Sequence, residues 1–227
     1  MSTVLITGAA RGLGLDFTRQ YAAKGWKVIA CARKLDALKA IKGDIHHHPL
    51  EVTDYAAVKA LAKKLAGEAI DVLICNAGIG GEQWRQTPQA LGSLDPSTWR
   101  EVFEINTLAP LMMAEAFVEH VARSQQRKLI AITSILGSLA NNNGGRYAYR
   151  ASKTALNMEW SCLAKDLEGK GVICVALHPG WVQTDMGGPT ATLTIDQSVP
   201  SMVKVIERLK PSDNGRYISY DGSRLPW

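Results

Sequence analysis

Short apolar runs alternate with longer amphipathic stretches along the whole 227-residue chain. Runs at 4–6, 27–31, 46–52, 72–75, 129–133, 172–177 and 216–219 predict strands. Near 13–24, 55–65, 98–121, 147–167 and 196–208 the apolar residues recur at helical spacing. Alternation of this kind predicts an α/β, doubly wound domain, a mainly parallel seven-stranded sheet with helices on both faces. Val72-Leu73-Ile74-Cys75 is apolar at every position, as a strand buried on both sides requires. Gly25 suits a left-handed cap after the first helix. Asp95-Pro96 reads as an N-cap followed by a proline in the first turn, and Asp54 as the cap of the helix after the third strand. No repeat or linker divides residues 1–227. Segments 78–93 and 187–194, rich in Gly, Pro and Thr, read as loops around a substrate mouth.

Composition narrows the possible functions. A net charge of +5 suits an anionic small molecule. The basic residues are scattered without aromatic interleaving, so nucleic acid is not an expected partner. Cys31, Cys75, Cys162 and Cys174 form no Cys-x-x-Cys pair, which points to a reducing, cytoplasmic setting. No apolar run reaches the ~18 residues of a membrane span. Met1-Ser2-Thr3-Val4-Leu5-Ile6 lacks the basic lead of a signal peptide. His46-His47-His48 is no metal site on this reading, because adjacent strand residues point to opposite faces.

Three clusters carry chemistry. The first strand runs into Gly8-x-x-x-Gly12-x-Gly14 and then a helix, a Rossmann-type arrangement. Glycines there allow a tight turn and close approach of a pyrophosphate to the helix N-terminus, although a plain turn would also use them. The second strand ends Cys31-Ala32-Arg33-Lys34, where a site for NAD would carry an acid. Arg33, with Arg11 from the glycine loop, would instead meet a 2′-phosphate, which favours NADPH over NADH. Tyr149 and Lys153 lie four residues apart, on one helical face and about 5–6 Å apart at Cβ. A lysine so placed is expected to lower the phenol's pKa from about 10, making a proton donor or acceptor. Tyr147 has no lysine four residues on.

Thr7-Gly8-Ala9-Ala10-Arg11-Gly12-Leu13-Gly14, Cys75-Asn76-Ala77-Gly78, Asn106, Ser134, Tyr149 with Lys153, and Pro179-Gly180-Trp181-Val182-Gln183-Thr184 follow one another in the order found in short-chain dehydrogenases/reductases. The chain resembles the compact, single-domain branch of that family. Its ending, residues 215–227, is similar to the C-factor-like and sniffer-like carbonyl reductases. The resemblance implies an NADPH-dependent oxidoreductase acting on an aldehyde, ketone or alcohol. It makes Tyr149 the general acid, with Lys153 tuning it and holding the nicotinamide ribose. Ser134 meets the substrate carbonyl, and Asn106 helps hold a water linked to Lys153. Gly8, Arg11, Gly12, Leu13, Gly14, Arg33, Asn76, Ala77 and Gly78 line the nucleotide, with Val52 on the adenine. Pro179, Gly180, Val182 and Thr184 flank the carboxamide and pyrophosphate. Glu51 departs from the aspartate common in relatives, being one methylene longer.

Bland readings stand beside these: Ser134 as a strand-end cap with Ser138 as its decoy, Asn106 as a satisfied amide, Pro179-Gly180 as a turn. Trp84 and Trp181 fall in the loops flanking the expected pocket, and Trp160 reads as core or interface. The resemblance implies a homodimer or homotetramer through the two long helices, where Met158 and Trp160 are candidate markers. A second function class is a nucleotide-binding, C-factor-like signalling protein with incidental turnover. Epimerase or dehydratase chemistry is disfavoured by Arg33 and the short substrate region.

Overall fold

The computed structural model describes residues 1–81 and 91–227. All seven expected strands form: β1 (Thr3–Thr7), β2 (Lys27–Ala32), β3 (Ile45–Pro49), β4 (Val72–Cys75), β5 (Lys128–Ile132), β6 (Ile173–His178) and β7 (Arg216–Ser219). They make one sheet in the order β3-β2-β1-β4-β5-β6-β7, every pair parallel. The order reverses at β1, so a crevice opens beyond the carboxyl ends of β1 and β4, where open sheets of this kind take ligands.

Helices α1 (Gly12–Ala23) and α6 (Ile195–Arg208) cover one face of the sheet. Helices α2 (Tyr55–Lys64), α4 (Ala109–Ala122) and α5 (Tyr147–Asp166) cover the other. Alternate residues of one strand serve the two cores: Val4 and Ile6 pack on the α1 side, Leu5 on the α5 side. The capping expectations hold. Asp54 accepts from Ala57 N at 2.9 Å, Asp95 from Ser97 N and Thr98 N, and Gly25 adopts φ +74°.

Two elements differ from expectation. The third strand stops at Pro49 rather than 52, because the chain turns at once, with Asp54 N donating to Glu51 O at 3.0 Å. A proline is tolerated there because β3 is a sheet edge. The helix expected over 98–121 is also broken. It begins as α3 (Pro96–Phe103), passes through a π-helical turn at Glu104–Leu108, and resumes as α4. Pro110 has no N–H for the carbonyl of Asn106, four residues back, so the α-ladder cannot run through.

Trp160 belongs to the core. It is 1 % exposed and its Nε1 donates to Leu129 O at 3.2 Å, so of the two interface markers only Met158, 65 % exposed, stands on the surface. Of the four cysteines only Cys162 is exposed. Among the described residues no helix is long and apolar enough to cross a membrane.

Candidate active site

The glycine loop is shaped by close approach. A Cβ on Gly14 would lie 2.2 Å from Gly8 O and 2.6 Å from Asn76 Nδ2, so no larger residue fits. Gly8 and Gly12 hold φ of +65° and +51°, which side chains rarely adopt. Asn76 ties the ends of β1 and β4 together: its Nδ2 donates to Thr7 O at 2.9 Å, and Thr7 Oγ1 accepts from both Asn76 N and Ala77 N. Arg11 sits in extended conformation ahead of α1, and its carbonyl accepts from Leu15 N. The N-terminus of α1 faces the crevice with no acidic residue in its first turn, so it favours an anion. A dinucleotide pyrophosphate fits this cradle.

The opposite rim comes from the segment after β6. Gly180 has φ +83°, and a Cβ there would meet Leu193 Cδ1 at 2.4 Å. Pro179 O accepts from Ser198 Oγ, and Val182 bridges to Leu193, which closes residues 182–193 into a compact loop. Thr184 Cγ2 comes within 3.8 Å of a Cβ built on Gly12, and Arg11 pairs with Asp185 at 3.6 Å, so this loop faces the glycine loop across the cleft. The two expected phosphate cations are separately engaged: Arg11 with Asp185, and Arg33 with Glu51 at 3.4 Å. Both pairs are exposed and worth at most ~1 kcal/mol each, little to displace. Glu51 therefore serves Arg33, and Val52 is buried beside it. Leu13 packs against the α1-side core.

Asn106, Ser134, Tyr149 and Lys153 converge beyond the ends of β4 and β5. The Ser134 hydroxyl lies near enough to the Tyr149 phenol to oppose the rise in its pKa, and Lys153 Nζ lies 5.8 Å from the centre of the Tyr149 ring. Lys153 Nζ donates to Ile132 O at 2.9 Å. Asn106, at the π-turn, accepts from Ile79 N and donates to Ile79 O, both at 2.8 Å, and also donates to Ser152 Oγ. A Cβ on Gly78 would meet Asn106 Oδ1 at 3.2 Å and Lys153 Nζ at 3.6 Å, which places Gly78 at this junction. Ser134 also caps the 3₁₀ turn at Ile135–Gly137 through Leu136 N. Ser138 is committed elsewhere, donating to Pro226 O at 2.8 Å.

Residues 2–193 match the short chain dehydrogenase family. The chain belongs to that family. It is 44 % identical over 171 residues to C-signal of Myxococcus xanthus, covering 75 % of this chain and 100 % of that protein. The structure of the Sniffer carbonyl reductase of D. melanogaster superposes with a TM-score of 0.91 at 32 % identity, covering 100 % of both chains. A carbonyl reductase from chicken fatty liver, solved with NADPH bound, gives a TM-score of 0.90 at 33 % identity over 100 % of this chain and 99 % of the other.

In this family member the electrostatics of the Tyr149–Lys153 pair differ from the expected picture. Burial pushes the Tyr149 phenol up to about 12, opposed by the Ser134 hydroxyl and the nearby charge of Arg146. Burial also pulls Lys153 down to about 8. Burial is the largest influence on the phenol, and the Lys153 ammonium near its ring donates to Ile132 O. Trp181 stands on the rim, 52 % exposed, its Nε1 donating to Gly187 O at 2.9 Å. Trp84 lies outside the described residues. Two neighbours of the site escaped the sequence reading: His178, at the end of β6, and Tyr217, in β7. A buried tyrosine in a strand needs a partner for its hydroxyl, and that need was the available signal.

Proposed function

We propose that the protein is an NADPH-dependent reductase of aldehydes or ketones, with Tyr149 as general acid. The observation that carries this is the Ser134 hydroxyl set near the Tyr149 phenol beside a buried Lys153, next to a glycine cradle. When bound, the reduced nicotinamide supplies the hydride. Gly8, Gly12 and Gly14 let the pyrophosphate approach the α1 N-terminus, and Arg33 meets the 2′-phosphate by exchanging Glu51 for it. The NADPH and NADP-bound carbonyl reductases among the structural neighbours support the cofactor choice.

The neighbouring Ser134 and Tyr149 hydroxyls would together bond a carbonyl oxygen as it gains charge. A phenol held near 12 stays protonated at neutral pH, so Tyr149 Oη has a proton to give to that oxygen. The phenolate left behind is held by the Ser134 hydroxyl, by Arg146 and by the Lys153 ammonium. Asn106 fixes residue 79 against this group and so sets the wall behind Lys153.

Steady-state NADPH and NADH oxidation over a panel of activated carbonyls tests the reading. Turnover with NADPH is expected, and Tyr149→Phe should bind NADPH yet turn over almost nothing. A Phe variant at the parent rate would remove Tyr149 from the proposal. The identity to C-signal favours a second reading, a nucleotide-binding signalling protein. Tight NADPH binding with no turnover across the panel would move the protein there.

A further inference from the structure

The peptide unit that follows the Ser134 side chain is gripped at both of its polar atoms. Its carbonyl, Ser134 O, accepts from Tyr217 Oη at 2.6 Å. Its N–H, on Ile135, donates to His178 Nδ1 at 3.1 Å. Both partner side chains are buried, and both come from neighbouring strands far along the chain. A strand that has just left its sheet has no ladder partner for these groups, and a buried orphan would be costly. The two side chains replace the ladder and fix the plane from which Ser134 Oγ projects.

Tyr217 is itself held. Its ring stacks on Trp227 at 5.3 Å and 23°. The main chain beside Trp227 is latched onto the loop that follows Ser134. Ser138 Oγ donates to Pro226 O at 2.8 Å, and Ala140 N donates to Trp227 O at 3.1 Å. The contacts form a closed circuit: Ser134, Tyr217, Trp227, the 138–140 loop and back to Ser134. Nothing in it touches the glycine cradle.

We propose that Tyr217 and His178 are positioning residues that aim the Ser134 hydroxyl at the substrate oxygen, with Trp227 holding Tyr217 in register. The inference rests on the reductase reading above. A misplacement of about 1 Å in a catalytic group costs on the order of 100-fold, so partial loosening of one grip should cost about tenfold. Tyr217→Phe should lower kcat for carbonyl reduction about tenfold and leave the NADPH Kd unchanged. Trp227→Ala should act in the same direction and Trp227→Phe should restore the rate. His178→Leu should lower kcat, while His178→Asn, whose Oδ1 can accept from Ile135 N, should recover most of it.

The deciding measurement repeats Tyr217→Phe in a Ser134→Ala background. A residue that acts through Ser134 has nothing left to position there, so the further loss should be under about twofold. A tenfold loss persisting without the Ser134 hydroxyl would overturn the proposal, as would a parental kcat in Tyr217→Phe alone. If Tyr217→Phe shows no thermal transition and binds no NADPH, the Trp227→Ala and Trp227→Phe pair decides by the same readouts in the same background. A parent that binds NADPH but reduces no carbonyl overturns the reductase reading itself, and this inference with it.

Discussion

The two halves of the crevice are built by different means. The cofactor side, at β1, β2 and β4, takes its shape from backbone: three glycines, a helix N-terminus and one asparagine joining two strand ends. Its charged side chains, Arg11 and Arg33, lie on the surface in weak pairs. The proton side, at β5, β6 and β7, is buried. Nearly every polar side chain there is tied to a main-chain atom far away in sequence: Lys153 to Ile132, Asn106 to Ile79, Tyr217 to Ser134, His178 to Ile135. An exposed, backbone-shaped site tolerates change at its side chains and fails at its glycines. A buried, tethered site holds its groups in place before the substrate arrives, and it fails when a tether is cut.

The largest effect that should separate the halves is on the proton side. Ser134→Ala removes one of the two hydroxyls that would bond the oxygen, and kcat should fall about 10²–10³-fold. NADPH affinity, followed by cofactor fluorescence, should not move. A large loss of affinity would mean that the two halves are not separable.

The next effect is on stability at low pH. His178 is buried and held down to about 4, with Asp221 opposing the shift. An unfolded histidine takes its proton near 6.5. Between those values the unfolded chain binds a proton that the folded chain refuses, so stability falls as pH falls from about 6.5 to about 4. The loss is about 3 kcal/mol over that window. His178→Asn should flatten it, as read from denaturation midpoints at several pH values. An unchanged slope would place the acid sensitivity elsewhere.

On the cofactor side, Gly14→Ala forces a methyl group into Gly8 O and Asn76. Overpacking of this kind costs about 1–3 kcal/mol. It should appear as a lower Tm and weaker NADPH binding, with kcat at saturating cofactor much less affected. A kcat loss matching that of Ser134→Ala would blur the distinction between the halves.

The smallest effect belongs to the surface cation. Arg33→Ser should weaken NADPH by about tenfold, or ~1.4 kcal/mol, and leave NADH nearly unchanged. The parent's NADPH affinity should also weaken with added salt, since the group is exposed. Equal losses for the two cofactors would remove Arg33 from the 2′-phosphate.

The same contrast explains what could be read from the sequence. The sheet was legible because most of its strands are short apolar runs buried in the fold, the half-exposed edge strand β3 being the exception. The cradle was legible because glycine is the residue that positive φ and a 2.2 Å approach demand. Tyr149 and Lys153 were legible because both sit on one helix. The tethers were not, because a bond between residues 134 and 217 leaves no local pattern. The π-turn was legible in principle: Pro110 inside a long amphipathic run marks a break, and periodicity alone ran through it. The tuning of Tyr149 was misjudged for a related reason. Spacing shows that a lysine is near, but burial, which spacing does not show, is the largest influence on the phenol's pKa.

The central claim is that a buried, protonated Tyr149 gives its proton to the oxygen of a carbonyl reduced from bound NADPH. Single-turnover oxidation of prebound NADPH by an activated aldehyde isolates that step from product release. The account predicts a fast phase in the parent and the same NADPH occupancy in Tyr149→Phe, with the phase slowed by at least about 100-fold. An equally fast phase in Tyr149→Phe would contradict it.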